Sequence, residues 1–163
     1  INSAGFGLSC EIQSFRHAVN MLGYDKLNRW LSLLLATASK DPMAPALMYT
    51  AVLRGRLMEL LSAGLVDKAE YDNLFITGAF SLLDVLLGVS MEQALDAMRL
   101  PDPICDALLG NGGRYQPFLE LALSSEGDQG ERIAEQAAML GLTADQFNRA
   151  QLQAQAFAEA MEF

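Results

Sequence analysis

Apolar residues recur at three- and four-residue intervals along nearly the whole chain, and the breaks between these stretches are short. That spacing places apolar side chains on one face of an α-helix. Ser14 can cap a short helix through Leu22, with Gly23 as its stop. Asp25 opens a second, in which Leu27, Trp30, Leu31, Leu34 and Leu35 share a face, and Lys40-Asp41-Pro42 ends it. Ala44 to Ala63 reads as a long helix ended by Gly64. Asp67 is placed to cap the next helix, which the pattern carries to about Leu87 with a stop at Gly88. Ser90 and Gln93 have the spacing of a capping box, and a short helix through Met98 follows.

Pro101 and Pro103 break the chain before a helix over Ile104 to Leu109. A loop at Gly110-Asn111-Gly112-Gly113 precedes a helix from Tyr115 to Ser124. The last two span Asp128 to Leu140 and Thr143 to Glu162, the latter with capping-box spacing between Thr143 and Gln146. Short connections favour helices packed against near neighbours. The expectation is one compact all-α domain over residues 1–163, with about nine or ten helices and no sheet. Leu, Ala, Met, Glu and Gln dominate the composition, and these side chains lose little rotamer freedom in a helix.

Two charged residues interrupt apolar stripes. Arg54 shares a stripe with Leu47, Ala51, Met58 and Leu61. Asp84 falls in register with Thr77, Ser81 and Gly88, a polar seam on a helix apolar on both sides. A charge in such a place must be paired or reach water. The simplest expectation is that Arg54 and Asp84 meet as a partly buried pair, fixing helix register or marking the remnant of a polar pocket. Removing one partner of a buried pair costs on the order of 3–5 kcal/mol.

The chain of 163 residues has 52% hydrophobic and 19% charged residues, which fits a globule with a large core. Its net charge is −9 and its pI about 4.4, so phosphate backbones are repelled, and no basic patch offsets this. Carboxylates concentrate near the end: Glu120, Glu126, Asp128, Glu131, Glu135, Asp145, Glu159 and Glu162 face only Arg132 and Arg149. A solvated surface explains them, and an acidic docking face is the sharper alternative. No apolar run is long enough for a membrane span, and no signal peptide is evident. Cys10 and Cys105 form no C-x-x-C pair, which fits reduced thiols and a cytoplasmic setting.

Candidate chemistry is sparse. His17 is the only histidine, on a polar-flanked stretch, and suits a surface or capping role. One imidazole and no cysteine cluster are too few to build a phosphohydrolase metal centre, so no metal, cofactor or catalytic residue is expected. Neither cysteine has flanks that would activate a thiolate. Gly5-Phe6-Gly7 and Gly110 to Gly113 follow no strand and are turns rather than nucleotide fingerprints.

Ile1-Asn2-Ser3-Ala4-Gly5-Phe6-Gly7, then Ile12-Gln13-Ser14, Ala18 and Leu22-Gly23, resemble the opening motif of the HDOD family. The residues carrying that likeness are Asn2, Ser3, Phe6 and Gly7, joined by Leu27 and Trp30-Leu31. It continues in Arg54-Gly55-Arg56 with Glu59 and Leu60, in Phe75 through Asp84, and in Ala138-Met139-Leu140-Gly141-Leu142. In the second of these, Gly78-Ala79-Phe80 departs from the family's glycine-leucine-leucine wording. The resemblance implies an HD-like helical fold without its metal-binding residues, used in bacteria as a signalling output or scaffold module. The Arg-x-Arg and Trp30 features are similar to the version that follows an EAL cyclic di-GMP phosphodiesterase domain. The family has helices before the asparagine-serine motif, which implies that this chain is an N-terminally truncated fragment.

The expected function is therefore non-catalytic, through contact with another protein domain, either an attached EAL domain or a second copy of the chain. Phe6, Met21, Trp30, Met43 and Met48 are candidate anchors for such a contact, the plain alternative being that they are core residues. A sensor for a small ligand or nucleotide is one alternative, with a pocket between helices. A divergent phosphohydrolase holding its metal through carboxylates such as Asp84 is another.

Overall fold

A computed structural model describes residues 42–96, 100–127 and 130–161. His17, Cys10, Asn2, Ser3, Phe6, Gly7, Met21 and Trp30 lie outside the described residues, as do the two helices expected before Pro42. The described part is all helical, as the apolar spacing predicts. Its helices are α1 (Ala44–Ser62), α2 (Tyr71–Phe80), α3 (Leu83–Leu87), α4 (Met91–Asp96), α5 (Asp102–Leu109), α6 (Gln116–Ser124), α7 (Gly130–Met139) and α8 (Ala144–Glu159). A 3₁₀ turn at Lys68–Glu70 leads into α2.

The centre is α1, which packs mainly against α2 and α8 and also touches α6. Pro45 stands in its first turn, where a missing N–H costs nothing. Its inward residues Leu57, Met58 and Leu61 join Leu74, Ile76 and Leu121 in the main core, each 2% exposed or less. A smaller cluster forms where Met48 of α1 meets Leu86 of α3, flanked by Leu47 and Leu82. Met48 is thus a core residue, not a surface anchor, whereas Met43 stays exposed.

Toward the end of the chain, α8 buries Phe147, Ala150, Ala154 and Ala158 along one face. Three alanines at four-residue spacing let α8 lie close against α1. Thr143 accepts the backbone N–H of Gln146 while the Gln146 side chain takes the Thr143 N–H, completing the expected capping box. Ser90 and Gln93 exchange the same two bonds at 3.3 Å.

Two expectations fail between residues 67 and 88. Asp67 makes no capping bond, because the chain enters through the 3₁₀ turn instead of directly into a helix. The single helix to Leu87 is in fact α2 and α3, separated by a turn at Ser81-Leu82. The cause is local: the Ser81 hydroxyl donates to the Gly78 carbonyl at 2.6 Å, and the Ser81 N–H uses the same acceptor at 3.2 Å. A serine side chain competing for helical carbonyls favours a turn over propagation. Among the described residues no helix is long and apolar enough to cross a membrane.

Candidate functional site

The most distinctive polar feature begins with two glycines. Gly55 of α1 and Gly78 of α2 sit where these helices cross. A methyl group on Gly78 would lie 2.6 Å from the Arg54 carbonyl carbon and 2.6 Å from the Gly55 nitrogen. One on Gly55 would lie 2.6 Å from the Phe75 carbonyl oxygen. Only glycine at both positions lets the backbones touch. A glycine inside a helix costs roughly 1 kcal/mol against alanine, so two at one crossing mark a packing requirement.

That approach carries Arg54 across the α2 helix to its end. The Arg54 side chain is 11% exposed. Its Nη1 donates to the Ser81 hydroxyl at 2.9 Å, its Nη2 donates to Oε2 of Glu126 at 2.7 Å, and its Nε donates to Oε1 of the same carboxylate. The guanidinium is therefore held in a two-pronged fork by Glu126, with Ser81 on its third corner. Ser81 belongs to the turn between α2 and α3, and Glu126 to the turn after α6.

The expected Arg54–Asp84 pair does not form. Arg54 pairs with Glu126, and Asp84, half-buried on α3, makes no ion pair with it. The register argument required one continuous helix from Thr77 to Asp84, and the Ser81-Leu82 turn removes that condition. Half of the polar seam is nonetheless real. Ser81 meets Arg54, and the fully buried Thr77 turns its hydroxyl back to the Asn73 carbonyl at 2.7 Å. Glu126, grouped by sequence with a solvated acidic surface, is the partner that reasoning missed. It lies 72 residues from Arg54, and nothing in its local pattern distinguishes it from the neighbouring acids.

A second polar cluster ties the start of α2 to the start of α6. Tyr115 is fully buried; its hydroxyl donates to Oε2 of Glu70 at 2.9 Å and accepts from Nδ2 of Asn73 at 3.2 Å. Arg114 reaches the other Glu70 oxygen at 2.9 Å and stacks over the Tyr115 ring. Burial pushes the Tyr115 phenol above its ordinary value; Glu70 adds to the rise, while Asn73 and Arg114 oppose it. A third cluster places Arg56 beside Glu59 at 2.7 Å and over the Phe157 ring at 5.0 Å, joining α1 to α8.

In each cluster an arginine and a carboxylate hold one another in a fixed geometry. An arginine cannot serve as a base near neutral pH. The Cys105 thiol is pushed up by burial and then by Asp102 and Asp106, so it is a poor nucleophile. Among the described residues no group of three or more His, Cys, Asp or Glu side chains is placed to hold a metal ion.

Comparison with known proteins gives two relatives. The chain is 27% identical over 159 residues to cyclic di-GMP phosphodiesterase CdgJ of Vibrio cholerae, a match that takes in 98% of this chain and 37% of that protein. It is 28% identical over 138 residues to the uncharacterized protein YuxH of Bacillus subtilis, covering 83% of this chain and 34% of the relative. The chain spans about a third of the length of the curated relatives it matches. No family model and no solved structure matches.

Proposed function

We propose that this chain is the HDOD-like output module of a cyclic di-GMP signalling protein, acting through contact with another protein domain and not through catalysis. The observation that carries this reading is the extent of the likeness to CdgJ: nearly all of this chain corresponds to little more than a third of a cyclic di-GMP phosphodiesterase. A match running over 159 residues is long enough for a domain of its own. The motif order over Asn2 to Gly7, Arg54 to Leu60 and Phe75 to Asp84 supports assigning that module to the HDOD class.

The polar chemistry supports a non-catalytic role. One histidine in the whole chain leaves too few ligands for an HD-type metal centre. Arg54 is engaged with Glu126, Arg114 with Glu70, and Arg56 with the Phe157 ring, contacts that tie separate elements together. A rigid bundle presenting a defined face suits recognition of a partner domain, either a cyclic di-GMP phosphodiesterase module or a second copy of the chain.

The test has two parts. The purified chain, given Mg²⁺ or Mn²⁺, should hydrolyse neither cyclic di-GMP nor a generic aryl phosphodiester. It should also form a complex with an EAL phosphodiesterase domain, or with itself, in light scattering at micromolar concentration. Phosphodiester turnover by the isolated chain would overturn the reading.

A further inference from the structure

We propose that Arg54 and Ser81 form a binding site for a small oxyanion, and that Glu126 is its built-in, displaceable occupant. The inference does not rest on the signalling role above.

Part of the receptor is set by groups other than the occupant. The Arg54 backbone is positioned by the contact of Gly55 with Gly78, and Ser81 by its own bond to the Gly78 carbonyl at 2.6 Å. With Nη1 engaged by Ser81, the Nε and Nη2 edge of the guanidinium faces the partly exposed Glu126 carboxylate as a fork. That edge matches any group carrying two oxygens on one centre, such as a carboxylate or a phosphate. A guanidinium this buried requires an anion, because it has left water and only charge compensation holds it there.

The occupant is held differently. Arg54 is 11% exposed at its side chain, but Glu126 is 32% exposed, so water reaches the carboxylate from outside. Glu126 stands on a turn past the end of α6, its N–H bonded to the Leu123 carbonyl at 3.3 Å, and not within a packed helix. A tethered group competes with free anions through an effective concentration set by how freely its tether moves. Glu126 stands on a turn and is reached by water, so a free anion in large excess competes with it. Its entry would release Glu126 from Arg54.

The experiment uses the whole 163-residue chain. Thermal unfolding is followed for the wild type and for Glu126→Ala in sodium propionate, sodium phosphate or sodium chloride at matched ionic strength. At about ten times its Kd, an anion that refills the fork should raise the Glu126→Ala midpoint by about 3–5 °C over chloride. A rise in propionate alone marks a carboxylate site, and a rise in both marks a general oxyanion site. Adding Arg54→Lys, which removes the fork, should abolish the difference. If Glu126→Ala does not fold, Glu126→Gln keeps the turn's packing and should show the same ordering of salts. In the wild type, the backbone amide signals of Glu126 and Gly127 should shift saturably with propionate or phosphate and not with chloride. Equal midpoints in all three salts for the variant, or no saturable shift in the wild type, would overturn the proposal.

Discussion

The crossing of α1 with α2 and the outlying helix α7 are built on opposite principles. At the crossing, two glycines remove side chains so that backbones meet, and the charged residue beside them is almost wholly enclosed. In α7, ten residues bury only Ala137, while Ile133 and Gln136 are half-covered and Met139 is 87% exposed. Its neighbours are α6 and α8, with no packing against the central α1 comparable to that of α2. The difference teaches where stability resides. Apolar burial and enclosed charge are concentrated along α1, and α7 is attached to that frame by one narrow face. The Arg54–Glu126 pair joins the two regimes, because Glu126 stands on the α6 side of the turn leading into α7.

Gly78→Ala should break the crossing outright. Alanine would gain roughly 1 kcal/mol in helix propensity. Against this, its methyl group would meet backbone atoms of Arg54 and Gly55 at 2.6 Å, and backbone cannot rotate away as a side chain can. The net loss should be on the order of 4 kcal/mol, above the usual overpacking range. Urea unfolding measures it, and a neutral or stabilising outcome would mean that the helices are not in contact there.

Arg54→Met comes next. Methionine fills similar volume but leaves the Glu126 carboxylate and the Ser81 hydroxyl without their partner. Glu126 keeps access to water, so the expected loss is about 3 kcal/mol, at the low end for breaking a buried pair. Because the pair anchors the turn before α7, amide exchange in that helix should speed up by more than in α8.

Tyr115→Phe probes a clamp that the comparison leaves outside both regions. Losing bonds to Glu70 and Asn73 should cost about 1–2 kcal/mol at neutral pH. The phenol also sets a pH dependence. Its folded value is raised above the ordinary 10.0, so the protonated form is favoured by the fold. Its contribution is complete below pH 10.0 and is lost as the pH climbs through the raised folded value. The wild type should therefore lose stability across that alkaline window, and Tyr115→Phe should show a shallower decline over the same range.

How much of this could be read from the chain depends on the range of each interaction. Most local signals carried through: both capping boxes form, and the stops at Gly64 and Gly88 fall at left-handed backbone positions, although the cap at Asp67 does not form. The Arg54 stripe is inward, as its neighbours Ala51, Met58 and Leu61 imply. What failed was periodicity extended across Ser81, where one hydroxyl diverts the helix and so takes Asp84 out of register. Glu126 was illegible for a different reason. A partner 72 residues away is chosen by how helices stack, and no local spacing encodes that. The Gly55–Gly78 contact was half-legible, since a glycine within a helical run already signals close approach.

Met139→Gln gives the smallest expected effect and the sharpest test of the contrast. The side chain is 87% exposed at the end of α7, so exchanging it for a polar residue of similar length should change stability by no more than about 0.5 kcal/mol. Native-state hydrogen exchange should then show α7 amides opening well below the global unfolding energy, with α1 and α2 amides opening only with the whole domain. A loss above about 1.5 kcal/mol could not come from the monomer's own packing. It would require that the thioether be covered by another chain, and the loss should then grow with protein concentration, because association adds to apparent stability only when partner is present. Measuring Met139→Gln at two concentrations tenfold apart therefore separates a merely solvated helix from one that supplies the contact face of a self-associating module.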